Sequence, residues 1–264
     1  MIPRICFSHS VKEKVATPIF PNDLQAIMQS PFVQEICDKI VLLDGKDPEE
    51  MSRLKQQLPV VYFHAQSFKN NLRKSANAVP SGLVMLDIDH VDDPKAFADQ
   101  WIDLCDLKQN RIALIAKTPS NHGIRIVGEM QQGETIVQAQ QRLANLFEVK
   151  QYDAVTKDLA RASFVMPRSY VYYYDEDILQ FADQASAEQT ADQTPSVSPL
   201  KGEDPKSPFK GDLEGLEGQG GSELDRVSFT RINACIPAFA ERVSTMVSKR
   251  IASTPSSAST HICS

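Results

Sequence analysis

Two acids one residue apart, Asp87 and Asp89, close an apolar run in Ser81-Gly82-Leu83-Val84-Met85-Leu86-Asp87-Ile88-Asp89-His90-Val91. They are the residues of this chain best placed to do chemistry. Ser81-Gly82 supplies a turn and Leu83 to Leu86 a buried run, so the segment reads as a strand. Side chains alternate across a strand, so both carboxylates share a face. Two such charges at the end of a core strand repel each other, and desolvating them is costly. A divalent cation relieves both penalties, and oxygen-only ligands select Mg²⁺ or Mn²⁺ over zinc. The plainer alternative is an exposed strand end whose acids are solvated or cap the next helix.

A second cluster lies in Thr118-Pro119-Ser120-Asn121-His122-Gly123-Ile124-Arg125-Ile126-Val127. One strand runs into a small polar turn and another leaves it. Ser120 and Gly123 belong to a tight turn whose backbone N–H groups suit a phosphate. Arg125 is a charge inside an apolar strand; on the acids' face it becomes a phosphate clamp. A hairpin turn with one wet strand face has the same composition. A third cluster is Tyr152-Asp153 with Asp158 and Arg161. There the bland roles are capping by Asp153 and a local Asp158–Arg161 ion pair.

The order of these clusters is acid-x-acid on a strand, a Ser/Gly turn leading to a cationic strand residue, then an acid and an arginine. This resembles the archaeo-eukaryotic primase superfamily, and within it the BT4734-like or VirE N-terminal lineage, over roughly residues 40–180. Lys55-Gln56-Gln57-Leu58-Pro59 and Arg73 belong to the same resemblance. It implies a polymerase-type site in which Asp87 and Asp89 hold the catalytic metals and Asp153, ahead of Asp158, is the third acid. Two-metal phosphoryl transfer uses such a set. The superfamily's small-x-His motif falls on Gly123-Ile124-Arg125, so Arg125 occupies the histidine's place. A second register, Ser120-Asn121-His122, would put His122 in the turn; Arg125 is preferred. Ser120, His122, Gly123, Arg125 and Arg161 would then form the nucleotide-binding side. The implied ligands are nucleoside triphosphates and single-stranded DNA or a primer-template. A helicase-type ATPase is the implied companion, although residues 182–264 contain no P-loop. A non-catalytic nucleic-acid-binding or adaptor module, or a metal-dependent nuclease, would use the same acids.

Composition narrows these choices. The 264-residue chain carries a net charge of −6 and 42% hydrophobic residues. It is not a basic coat for nucleic acid, so any polyanion must meet a local patch or a bound metal. No apolar run approaches the ~20 residues that span a bilayer, and no signal-peptide core opens the chain. A cytoplasmic location without membrane contact is the expectation. Cysteines at 6, 37, 105, 235 and 263 form no CxxC pair, which argues for reduced thiols and against structural zinc.

The elements that must position these residues alternate in type. Helical patterns cover 21–43, with Asn22 or Asp23 as the first cap and Pro31 starting a second helix, then 48–58, 94–107 and 134–147. Strand patterns cover 60–63, 83–89, 112–116, 123–127, 162–166 and 170–174. The fold class is α/β of the two-layer α+β type, a mixed sheet of roughly five or six strands with helices packed on it. The resemblance adds an RRM-like catalytic core joined to an N-terminal αβ unit. Residues 1–181 read as the primase-polymerase-like domain. Residues 182–224, rich in Ser, Pro, Gly, Gln and Asp, read as a disordered linker, and 225–264 as a short helix and tail of a truncated downstream region.

Overall fold

The computed structural model describes residues 1–153 and 158–192. The expected C-terminal helix and tail, and the linker beyond residue 192, lie outside the described residues.

Proline punctuates the helices. Pro21, Pro31, Pro48 and Pro94 each stand in the first turn of α1 (Pro21–Met28), α2 (Pro31–Leu42), α3 (Pro48–Lys55) and α4 (Pro94–Leu104). Proline's fixed φ and missing N–H suit that turn. Asp47 caps α3 by accepting from the Glu50 N–H, and Asp93 caps α4 by accepting from Lys95 and Ala96. The first helix is the exception to the expected caps. Phe20 is its N-cap, without a side-chain bond, and Asn22 and Asp23 lie inside the helix. A complete capping box between Thr135 and Gln138 starts α5 (Ile136–Leu146).

The α+β class holds, and the strands are divided between sheets. Four of them, β2 (Ile5–Ser8), β3 (Thr17–Ile19), β4 (Val60–Tyr62) and β10 (Ser163–Phe164), form a sheet in the order β10-β4-β2-β3. A second sheet has the order β11-β8-β9-β7, from β7 (Leu83–Asp89), β8 (Ile112–Lys117), β9 (Gly123–Glu129) and β11 (Val171–Tyr174). Two-stranded ribbons join β1 (Ile2–Pro3) to β12 (Gln180–Phe181), and β5 (Ala65–Phe68) to β6 (Ala78–Pro80). Among the described residues every pairing is antiparallel, unlike the single mixed sheet expected. Sequence patterning reports which residues are buried but not which strands pair; the short β1, β3, β5, β6 and β12 carry too few residues to show a period. The second sheet runs β7-α4-β8-β9-α5-β11, a split β-α-β-β-α-β order that leaves β7 at an edge.

Both faces of β7 are covered. Val84, Leu86 and Ile88 join Ile124 and Ile126 of β9 in a core closed by Ala98 and Trp101 of α4 and Ala139, Leu143 and Phe147 at α5. The alternate residues Leu83, Met85 and Asp87 are buried too; only Asp89 in this strand is exposed. On that side Ser163 of β10 donates to the Met85 sulfur at 2.8 Å. A second apolar cluster, Cys6, Ala16, Val60, Tyr62, Ala65 and Phe68, fills the first sheet.

The expected linker opens on a helix. α6 (Gln184–Asp192) buries Ala187, whose carbonyl accepts from Gln66 Nε2 at 3.2 Å. Asp183 caps it through the Ser186 N–H. Alanine and glutamine are good helix formers, a local property hidden when the tract is averaged with the Pro- and Gly-rich residues that follow. Among the described residues no helix is long and apolar enough to cross a membrane.

Candidate functional site

Antiparallel register brings the two charged motifs together. In the β7–β9 ladder Asp87 stands opposite Arg125, and Asp89 opposite Gly123. Directly opposed residues share a face, so the guanidinium reaches the carboxylate across one strand spacing. Arg125 Nε donates to Asp87 Oδ1 and NH2 to Oδ2, both at 2.7 Å. NH1 also donates to the Phe164 carbonyl at 3.3 Å, tying β9 to β10. Arg125 is 6% exposed and Asp87 9%. Charges that dry survive only when paired and hydrogen-bonded, and a bidentate fork is the strongest such pairing.

The outer edge of β7 is capped by side chains and one loop. His64 Nε2 accepts the Met85 N–H at 3.0 Å, Gln140 Nε2 donates to the Met85 carbonyl at 3.1 Å, and the Asp153 N–H donates to the Asp87 carbonyl at 3.0 Å. An open strand edge is thereby closed to further pairing. Since Nε2 of His64 accepts, Nδ1 carries the proton and donates to the Asp158 carbonyl at 3.1 Å. Burial pushes the His64 pKa down, against smaller opposing effects of the Asp158 carbonyl and the Asp158 and Asp87 charges. The neutral ring is therefore a fixed strut between β7 and the segment that carries Arg161.

That segment rearranges the expected pairs. Arg161 NH2 donates to Asp153 Oδ2 at 3.3 Å, so the guanidinium goes to Asp153 and not to Asp158. Asp158 accepts from Ser75 Oγ at 2.6 Å and from its own neighbour, the Ala160 N–H, at 3.0 Å. It meets Arg161 only through the backbone, Arg161 N to Asp158 O at 3.0 Å. Residues 154–157 between these acids lie outside the described residues.

The Ser/Gly turn is closed by Thr118 N to Gly123 O at 2.8 Å and Asn121 N to Thr118 O at 2.9 Å, with Asn121 in the left-handed region at φ 66°. Gly123 is there for space: a Cβ would lie 2.8 Å from the Ile88 carbonyl oxygen and 2.9 Å from Thr118 Oγ1. Ser120 is half-buried in the turn, with its Oγ 3.3 Å from Thr118 Oγ1. His122 is exposed and bonds Asp44 Oδ2 through Nε2 at 2.5 Å. Arg125, then, is the basic group on Asp87, and His122 serves the loop after α2.

Two residues near the site, His64 and Lys55, have no role that the sequence alone reveals. His64 follows the apolar run Val60-Val61-Tyr62-Phe63 and carries no local signal; only the tertiary pairing with Met85 reveals it. Lys55 is half-buried at the end of α3, its amine pushed down by burial and partly restored by Asp89 and Asp44.

The donor chemistry of Asp87 and Asp89 fits a hard divalent cation: all oxygen, and on one face of one strand. The number of donors is smaller than a two-metal centre uses. Among the described residues no three His, Cys, Asp or Glu side chains come together as a metal-holding group. Asp153 meets Asp87 through its backbone while its carboxylate faces Arg161. What the arrangement offers is a strip of alternating charge at the end of the second sheet: Asp89, Asp87–Arg125, Asp153–Arg161.

Residues 53–173 match the family described as BT4734-like, N-terminal domain, a span that contains every residue of this strip. No curated protein and no solved structure matches the chain. Over those residues the chain is similar to the BT4734-like N-terminal domain.

Proposed function

We propose that this domain handles nucleoside triphosphates as a primase-polymerase-type nucleotidyltransferase, in the setting of a mobile-element or phage-type replication protein. One observation supports the reading above others: Asp87 and Arg125 face each other on adjacent strands, with exposed Asp89 one step further along the same face. A triphosphate with its divalent cation presents a positive and a negative group together. The carboxylates suit the first and the guanidinium the second. Without ligand, Asp87 and Arg125 neutralise each other. With it, each can exchange its partner for one of the same charge, so neither is left buried and unpaired.

Asp87, Asp89 and Asp153 would hold Mg²⁺ or Mn²⁺, and Arg125 and Arg161 would hold phosphate oxygens, with Ser120 and Gly123 at the turn beside them. The cation would supply charge stabilisation at the transferring phosphoryl group. Arg125 orients the phosphate by its fixed fork. His64 holds Met85, and through it the Asp87 backbone, in register, while its Nδ1–H holds the segment that carries Arg161.

A second reading, a binding module that keeps the fold without turnover, is favoured by the full engagement of both Asp87 oxygens and by the lack of a three-donor group among the described residues. A primer-extension assay with labelled nucleotides in Mg²⁺ and Mn²⁺ separates the two. Template-dependent extension that disappears in Asp89→Asn supports the transferase. Nucleic-acid binding without extension under either metal supports the second reading, a nucleic-acid-binding or adaptor module that retains the primase fold. Absence of both binding and extension would sink the two together.

A further inference from the structure

An acidic chain needs a local basic surface to hold nucleic acid, and two loops next to the candidate site provide one. We propose that residues 9–16 and 69–77 form a docking surface for the sugar-phosphate backbone of a single-stranded nucleic acid. This deepens the functional reading above, on which it rests, by giving the polymer strand its place.

The loops form one structure. Val15 and Leu72 make an isolated antiparallel bridge. The Ala16 N–H donates to the Asn71 carbonyl at 2.9 Å and the Arg73 N–H to the Lys14 carbonyl at 2.8 Å. Arg73 NH1 donates to the Val11 carbonyl at 2.8 Å and to the Tyr62 hydroxyl at 3.0 Å, so this guanidinium anchors both loops to the first sheet. Asn70 and Asn71 both take φ 56°, a left-handed pair that fixes the bend between Lys69 and Arg73.

Charge in these loops runs against the rest of the protein. They carry Lys12, Lys14, Lys69, Arg73 and Lys74 with Glu13 as the one acid, in a chain of net charge −6. The four lysines are exposed. Among the described residues none of them has an ion-pair partner. Glu13 is engaged within its own loop, its Oε2 accepting the His9 N–H at 2.9 Å. Val15 and Leu72, paired across the bridge, are 48% and 42% exposed, apolar surface that a sugar or base can cover.

The surface also adjoins the site. Ser75 Oγ donates to Asp158 Oδ1 at 2.6 Å, and Asp158 is held by His64 and begins the turn to Arg161. A strand whose phosphates lie on the lysines therefore reaches the Asp153–Arg161 side of the site. Phosphate contacts of this kind position a polymer without reading its sequence.

The test is binding of a fluorescent oligothymidylate to the full chain, measured by anisotropy at several salt concentrations, for the parent protein and K12Q/K14Q/K69Q/K74Q. All four side chains are exposed, and a thermal melt checks that the fold is kept. The expected result is a loss of affinity of at least about tenfold and a salt slope smaller by about 3, at roughly 0.7 for each phosphate of a single strand that is no longer neutralised. Restoring the charges as arginine should restore both. Equal binding by parent and variant, no binding by the parent, or a patch that captures anionic lipid vesicles and not the oligonucleotide would each overturn the proposal. Nucleotide binding, read separately with a labelled nucleoside triphosphate, should be unchanged in the lysine variant. If the oligonucleotide binds through the lysines and no nucleotide binds at Arg125, the functional reading fails while the docking surface stands.

Discussion

The two ends of the β7–β9 ladder each bury an arginine against a carboxylate, and the two pairs are built differently. At the Leu83–Glu129 end, Arg4 donates to Glu129 and to the Ser81 and Ile178 carbonyls, and lies 4.8 Å from the centre of the Phe181 ring. Glu129 also accepts from Arg111 at 2.6 Å. Gly82, at φ 69°, leaves room for the guanidinium, since a Cβ there would come within 2.8 Å of Arg4 NH2. Every group in that knot binds the N-terminal strand, β7, β9 and the residues before β12 to one another. At the Asp89–Gly123 end, Arg125 has Asp87 and one long carbonyl contact. Its neighbours are an exposed acid and a second, half-buried Asp–Arg pair. The first is a latch whose groups share several partners. On the function proposed above, the second exchanges its charges for a cation and a phosphate.

Stability should separate the two ends most. Removing Asp87 should cost about 3–5 kcal/mol, because Arg125 stays buried without a charged partner, and removing Arg4 should cost less, because partly exposed Glu129 keeps Arg111. Arg4→Met and Asp87→Leu test the two ends by denaturant unfolding. The double variant Asp87→Leu/Arg125→Met should recover most of the loss at the site end, since an apolar pair of similar volume removes both desolvation penalties. Arg4→Met with Glu129→Leu should recover less, because the Ser81 and Ile178 carbonyls and Arg111 lose partners too. Equal recovery at both ends would show that the latch and the site are the same kind of object.

Ligand response is the next difference. If Asp87 and Arg125 exchange partners on binding, nucleoside triphosphate with Mg²⁺ should raise the melting temperature of the parent. Asp87→Asn/Arg125→Gln should weaken nucleotide affinity by about 1–3 kcal/mol, the scale of a charge-assisted contact. Arg111→Gln, at the far end, should leave affinity unchanged. A nucleotide effect that follows Arg111 would move the binding site to the other end of the sheet.

The acid-x-acid strand was legible because its pattern is local: Leu83–Asp89 has the bounds that the apolar run and its turn indicate. Arg125 stood out for the same reason, a charge in an apolar strand. Its partner did not, because pairing across β7 and β9 is decided by register, which periodicity leaves open. The Asp93 cap of α4 sits in a local Asp-Pro signal, whereas the Phe20 cap of α1 has none, because proline alone starts that helix. His64 and Arg4 were invisible. Each acts on residues far away in sequence, and neither belongs to a charged motif of its own that would point to them.

The ends also titrate in separate windows. Burial lowers the His64 pKa, so near the usual value of about 6.5 the unfolded chain takes up a proton that the folded one refuses. Stability should fall as pH drops below that value, by at most about 1.4 kcal/mol per pH unit from this group, until the folded-state pKa is reached. At the other end burial pushes the Glu129 carboxyl up, but Arg4 and Arg111 outweigh it and hold it below the usual range. Its contribution is present above about pH 4.3 and is lost as pH falls through the depressed folded value. Unfolding curves from pH 7.5 to 3 should show both losses, and His64→Gln should remove the upper one alone.

Asp89 should give the smallest change in stability. It is the exposed end of β7, with no ion pair among the described residues. Asp89→Asn keeps size and shape and removes one charge, so unfolding free energy should stay within about 0.5 kcal/mol of the parent, as for other surface changes. The same substitution removes one of the three proposed metal ligands. Metal-dependent extension, or Mn²⁺ binding read by calorimetry with nucleotide present, should be lost in a protein that melts where the parent does. Asp99→Asn, exposed on α4 and paired only with Lys95 at 2.5 Å, is the matched control: one surface carboxylate fewer, with nucleotide chemistry intact. If Asp89→Asn behaves like Asp99→Asn in every assay, Asp89 is a solvated strand end, and the site end of the ladder holds a buried ion pair and no metal.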